Sequence, residues 1–233
     1  MAKASESGRV KTRLVPPLTS NEASKLNTCF LADVSANILE VAQQRPIDGY
    51  IAYASTGSEA FFTRNLPAGM MLLPPREAGL GRSLRHAMAD LLAAGYAGVC
   101  LVNSDSPTLP AGILKKVAAI LLESKDRIVL GPCEDGGYYL IGLRALHERL
   151  FEDISWSTDL VLAQTLERAA EIGLDAILLP KWYDVDDATT LVRLRDEMAG
   201  TRRPPPDLEP YRAPNTRSYL ASTDAPQFLR MRA

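Results

Sequence analysis

Leu101-Val102-Asn103-Ser104-Asp105-Ser106-Pro107-Thr108-Leu109-Pro110 decides how the rest of the chain is read. The apolar run Val99 to Val102 predicts a buried strand. The polar turn after it holds one carboxylate, Asp105, and then Pro107 and Pro110; Ala111 to Leu122 is helix-like. Strand, acidic turn and helix make up the repeating unit of an α/β fold. A carboxylate just past the C-terminal end of a strand stands where open α/β sheets bind ligands. Asp-Ser-Pro is equally ordinary turn chemistry, so Asp105 taken alone is as well explained as a turn or cap residue.

Working outward, the alternation continues in both directions. Thr19 and Glu22 have capping-box spacing ahead of a helix to Arg45, whose Leu26, Phe30, Val34, Ile38 and Val41 form one apolar stripe. Pro46 ends it, and Ile47 to Thr56 and Met70 to Leu73 read as strands. Gly79 and Gly81 precede a helix to about Ala94. Arg127 to Leu130 is a short strand, and Asp135-Gly136 ahead of Tyr138-Tyr139-Leu140-Ile141 is a hairpin signal. Ser157 is the expected N-cap of a helix from about Asp159 to Ile172. Ala176 to Leu179 is a strand, and a last helix runs to about Met198. This order predicts a layered, largely parallel α/β sheet within residues 1–199. From Gly200 the character changes: Thr201-Arg202-Arg203-Pro204-Pro205-Pro206-Asp207 opens a tail, 200–233, that wraps the domain or meets a partner, a second copy included.

Composition removes several classes of function. The 233 residues carry 26 Lys and Arg against 28 Asp and Glu, a formal charge of −2 with both signs interspersed. That gives no electrostatic case for nucleic acid or an anionic membrane. No apolar run reaches the ~20 residues that span a bilayer. Met1-Ala2-Lys3-Ala4-Ser5-Glu6 does not read as a signal peptide. Cys29, Cys100 and Cys133 are odd in number and never at CxxC spacing, against a disulfide framework or zinc site. Buried thiols in a reducing cytoplasm are the simplest reading.

Four stretches could carry chemistry. The opening loop gathers Lys3, Arg9, Lys11 and Arg13; with Gly8 as its only glycine it is no P-loop, but ammonium and guanidinium groups suit a polyphosphate. A solvated basic loop is the alternative. Gly79, Gly81 and Arg82 stand at a helix start, where exposed amides favour anions, although a plain turn explains two glycines as well. His86 follows as a base or a packed histidine. Gly136 and Gly137 either close a hairpin or let backbone amides approach a bound group, with Asp135 or Glu134 beside it. Asp184 and Asp186 are two apart, so an extended segment would point both the same way, where they repel unless a cation intervenes. The alternative is capping of the last helix.

Taken in order, these stretches resemble one family. Residues 1–14, Met-Ala-Lys-Ala-Ser-Glu-Ser-Gly-Arg-Val-Lys-Thr-Arg-Leu, are similar to its FAKxPxPGxVKTRL opening. Asn103 to Leu109 resembles GxDxPxL, and Gly131 to Leu143 resembles GPxxDGGYYLxGL. Trp156-Ser157-Thr158 and Asp184-Val185-Asp186 resemble its WST and DVD, and Gly79-Leu80-Gly81-Arg82 matches LGxR loosely. This is the bacterial GT-A-like, glycosyltransferase-like family associated with radical-SAM or selenium genes. It is similar to the guanylyltransferases for the molybdenum cofactor and for phospholactate or phosphoenolpyruvate. The resemblance covers about residues 1–195.

It implies a three-layer α/β/α nucleotide-diphospho-sugar-transferase fold with a mixed, mostly parallel central sheet. It implies a Mg²⁺- or Mn²⁺-dependent transferase taking a nucleotide or nucleotide sugar and a small-molecule acceptor. Lys3, Gly8, Lys11, Arg13, Gly79, Gly81 and Arg82 would face the nucleotide. Asp105, Asp184 and Asp186 would hold the metal, with Asp105 and Asp135 catalytic. Gly136, Gly137, Tyr138, Trp156, Ser157 and Thr158 would form the acceptor side. Glycosyl transfer is favoured over nucleotidyl transfer with pyrophosphate release; a nucleotide-binding protein without catalysis is the third reading. Three departures stand out. The family's glycine before the metal aspartate is Asn103 here, and its loop proline is Ser5. Its apolar first strand has almost no counterpart before Ala2, so the expectation is a start further upstream or another segment covering the gap.

Overall fold

The computed structural model describes residues 1–230. The last three residues of the 200–233 tail therefore lie outside the described residues. In chain order the elements are α1 (Ser20–Ala42), β1 (Tyr50–Ala52), α2 (Glu59–Asn65), β2 (Met71–Leu73), α3 (Leu80–Ala93), β3 (Val99–Val102), α4 (Ala111–Leu122), β4 (Ile128–Pro132), β5 (Tyr138–Leu143), α5 (Val161–Glu171), β6 (Ala176–Leu178), α6 (Ala188–Met198) and α7 (Pro214–Ala221).

Local chemistry sets many of these boundaries. The Thr19 hydroxyl accepts the Glu22 amide at 3.3 Å and the Glu22 carboxylate accepts the Thr19 amide at 2.8 Å, the reciprocal cap that opens α1. Asp187 caps α6 in the same manner through Thr190. Ser157 does not cap α5. It sits in the left-handed region at φ 67, the helix begins at Val161, and the Thr158 hydroxyl takes the Leu160 amide instead. α2 carries no strong periodic signal in its seven residues and is an addition to the sequence reading.

The main sheet has the order β3-β5-β4-β6. β5 is antiparallel to both β3 and β4, because the Asp-Gly turn folds β4 back as a hairpin, while β4 and β6 are parallel. The sheet is thus mixed. Alternate side chains go to opposite faces, as strand geometry requires. Val129 and Leu140 join the core under α1, α4 and α6; Ile128, Leu130, Ile141 and Leu143 join the core under α3 and α5. Helices on both faces make three layers. No helix among the described residues is long and apolar enough to cross a membrane.

β1 and β2 form a separate parallel pair. Between β1 and β3 lie Met1 and Ala2. Ala2 donates to the Ala52 carbonyl at 2.9 Å and accepts from the Ala54 amide at 3.0 Å. The Met1 amino group donates to the Val102 carbonyl at 3.0 Å. These two residues thus touch only the C-terminal ends of both strands. Alongside the rest of the two strands runs a cavity of about 210 Å³, walled by Val34 and Ile38 of α1, Ile51, Leu101 and Val117.

The tail lies against the domain. Asp33 of α1, fully buried, accepts the Asn215 and Thr216 amides at 2.9 and 2.8 Å and the Asn215 side chain at 2.8 Å. It serves as an N-terminal cap for α7 supplied by another helix. Leu220 and Leu229 are buried in the same core as Leu26 and Phe30.

Candidate active site

The C-terminal end of β3 delivers Asp105, and the β4–β5 turn delivers Cys133 and Asp135. The segment after β6 runs on beside β4 and delivers Asp184 and Asp186. Three backbone bonds fix that last segment: Leu179 to the Leu130 carbonyl at 2.8 Å, Trp182 to the Pro132 carbonyl at 3.1 Å, and Val185 to the Asp105 carbonyl at 2.8 Å. The Ser106 hydroxyl adds a bond to the Tyr183 carbonyl at 2.9 Å. Trp182 and Tyr183 are fully buried and tilted against each other, so the acidic segment stands on a rigid aromatic base.

Lys11 enters this cluster from the N-terminal loop. Its ammonium is 2.6 Å from Asp105 Oδ1 and 2.8 Å from Asp186 Oδ1, and it donates to the Val185 carbonyl at 2.8 Å. Burial works against the ammonium, but Asp105 and Asp186 outweigh it and hold its pKa above the usual lysine value. Asp184 turns to a neighbouring place, where one ligand atom from each of Cys133, Asp135 and Asp184 lies within 4.8 Å of the others. Burial, then Asp186, Asp135 and Asp105, push the Asp184 carboxyl up to about 7. Burial, then Asp184 with Asp135, Asp186 and Asp105, also raises the Cys133 thiol. Lys11 pairs with Asp105 and Asp186 among these four carboxylates, and Asp135 and Asp184 stand together beside Cys133. Oxygen donors of this kind are what Mg²⁺ and Mn²⁺ take, so the residues present fit a divalent cation.

Beside the cluster opens a second cavity, of about 430 Å³. Arg13, Asp135 and Asp186 stand on its polar side; Leu84, Tyr138 and Trp156 form apolar wall. A few polar groups converging on an apolar pocket of this size are the usual make-up of a small-molecule site. The cavity wall therefore brings together Arg13, Asp135, Gly137, Tyr138, Trp156, Ser157, Thr158 and Asp186; Lys11 and Asp105 join through Asp186, and Asp184 lies beside Asp135.

Other residues singled out from sequence stand differently. Lys3 and Gly8 are exposed and outside the second cavity. Arg82 folds back on its own turn, to the Ala78 carbonyl at 2.9 Å and Glu77 at 3.2 Å. Gly79 (φ 103) opens α3. Gly81 lies against Trp156, and a Cβ there would overlap the indole. Gly136 (φ 88) packs on the Asp159 backbone, so its missing side chain makes room for the loop before α5. The Gly137 amide is taken by Asp135 Oδ1 at 2.9 Å. His86 contacts Arg85 and Glu77, away from the carboxylates. Sequence reading left Cys133 as a plain buried thiol; its two-residue spacing from Asp135 was the available sign that both face one side.

Comparison with known proteins gives a family and a fold likeness. The family described as "Uncharacterized protein conserved in bacteria (DUF2064)" matches residues 37–158, a little over half of the chain. A solved structure titled "putative nucleotide-diphospho-sugar transferase" from Desulfovibrio desulfuricans G20 superposes with a TM-score of 0.78 at 27% identity, covering 94% of this chain and 93% of that one. No curated protein matches the chain.

Proposed function

The chain belongs to the DUF2064 family, described as uncharacterized proteins conserved in bacteria, and from that premise we propose that it is a metal-dependent transferase acting on a nucleotide-sugar donor. One observation carries the reading: Arg13, Asp135 and Asp186 line a cavity of small-molecule size, with Lys11 and Asp105 joined to it through Asp186 and Asp184 beside Asp135. The likeness to a structure titled as a nucleotide-diphospho-sugar transferase supports it.

Asp105, Asp184 and Asp186, with Asp135 beside them, would hold Mg²⁺ or Mn²⁺. Bound there, the ion supplies charge stabilisation for the donor's phosphates and for the leaving diphosphate. Arg13 pairs with phosphate oxygens through its forked donors. Trp156 and Tyr138 hold the acceptor and keep water from the reacting carbon. Asp135 is oriented by the Gly137 amide, and its carboxylate takes the proton from an acceptor hydroxyl. That oxygen attacks the anomeric carbon, the bond from this carbon to the phosphate oxygen breaks, and nucleoside diphosphate leaves with the electron pair.

Phosphorus NMR of the released nucleotide tests this. Nucleoside diphosphate formed from a nucleotide sugar, only with the divalent ion, is the expected product. Pyrophosphate from a nucleoside triphosphate would place the attack at the α-phosphorus instead. Tight nucleotide binding with neither product across a broad acceptor panel would mean a binding protein.

A further inference from the structure

Lys11 is held more completely than phosphate binding requires. The ammonium donates to Asp186 Oδ1 and to the Val185 carbonyl, each at 2.8 Å, and forms an ion pair with Asp105 Oδ1 at 2.6 Å. The side chain is 5% exposed, while Asp105 and Asp186 are 31% and 39% exposed. The two carboxylates are thus open to solvent on one side and closed by the ammonium on the other. The ammonium stands over the Phe30 ring, 5.5 Å from its centre. The backbone pays for this placement: Lys11 has φ 49, a left-handed conformation that a residue with a Cβ adopts only under constraint.

The two carboxylates assigned to a divalent ion therefore already share a cation of the chain's own. An ion placed on the same oxygens would stand within a few ångströms of the ammonium, and like charges at that distance repel strongly in a partly buried site. We propose that Lys11 and a divalent cation compete for Asp105 and Asp186. The ion binds there by displacing the ammonium, and the freed Lys11 turns to the donor's phosphates. This deepens the metal-dependent reading above and rests on it. One lysine then serves two roles, holding the carboxylates before the ion binds and meeting the donor's phosphates after.

Mn²⁺ binding followed by electron paramagnetic resonance, in the unaltered chain and in Lys11→Met, tests the exchange. Methionine keeps an unbranched apolar side chain and removes the charge. The expected result is Mn²⁺ affinity raised by at least about tenfold; equal or weaker binding overturns the proposal. Because Lys11→Met leaves two facing carboxylates without a cation and can fail to fold, a second measurement uses the unaltered chain. Acetylation of Lys11 by acetic anhydride, followed by mass spectrometry, should speed up as Mn²⁺ saturates the site. A Lys11 that stays protected while Mn²⁺ binds overturns the exchange and leaves the metal-dependent reading standing. Mn²⁺ bound by neither chain overturns both.

Discussion

Lys11 and Asp186 stand 175 positions apart and meet at 2.8 Å. The contact joins the N-terminal loop to the segment after β6, and the Val185 amide bonded to the Asp105 carbonyl joins that segment to the end of β3. Three distant pieces of chain thus close on one point. Removing any one of their polar groups leaves the others under-paired in a partly buried place, where that is costly.

Asp105→Asn is expected to act on binding more than on stability. Lys11 keeps Asp186 and the Val185 carbonyl, and Asp105 is about a third exposed, so the loss should be about 1–2 kcal/mol in urea unfolding. Mn²⁺-dependent nucleotide binding should fall by at least about tenfold. Unchanged nucleotide binding would return Asp105 to the role of a turn residue.

Gly136→Ala should be severe. The position has φ 88 and its open side is filled by the Asp159 backbone, which cannot move aside as a side chain can. A loss of about 3 kcal/mol or more is expected. Gly8 has φ 79 but open space around it, so Gly8→Ala meets only the backbone strain, about 1–2 kcal/mol. Equal losses for the two variants, measured by urea unfolding, would show that packing on Asp159 contributes nothing.

The 210 Å³ cavity alongside β1 and β3 should accept an added strand. An apolar segment joined ahead of Met1 should lie along both strands and raise the melting temperature, since each buried aliphatic side chain is worth about 1.5–3 kcal/mol. An extended chain no more stable than the original would mean that the cavity does not accept a strand.

Asp33→Ala should release the tail. Three donors on Asn215 and Thr216 lose their acceptor, two of them backbone amides of the first turn of α7. Destabilisation of about 3 kcal/mol or more is expected, with hydrogen exchange rising over 214–221 before it rises over α1. Uniform protection in both helices would contradict the capping role.

What the sequence made legible was local. The Thr19 and Glu22 cap, the strand Val99–Val102, the helix Ala111–Leu122 and the Asp-Gly hairpin each rest on a handful of adjacent residues, and each is seen in the structure. What stayed hidden depends on distance along the chain. Nothing near Lys11 says that its ammonium faces Asp186. Asp33 reads as one polar residue on a helix, and only the tail explains its burial. Ser157 followed cap statistics, but a left-handed backbone displaced the helix start to Val161. The acidic pair Asp184 and Asp186 shows the same limit: two-residue spacing puts them on one segment, yet one pairs with Lys11 and the other with Asp135 and Cys133.

The carboxylates and the basic loop should bind a nucleotide through a divalent cation. Thermal unfolding with nucleotide sugars and nucleoside triphosphates, each with and without Mn²⁺, tests it most directly, because a ligand that binds only the folded chain raises the melting temperature by mass action. At least one nucleotide should stabilise the chain only when Mn²⁺ is present, and Asp184→Asn should remove this stabilisation. A nucleotide shift of equal size without the ion, or no shift with any nucleotide, would contradict it.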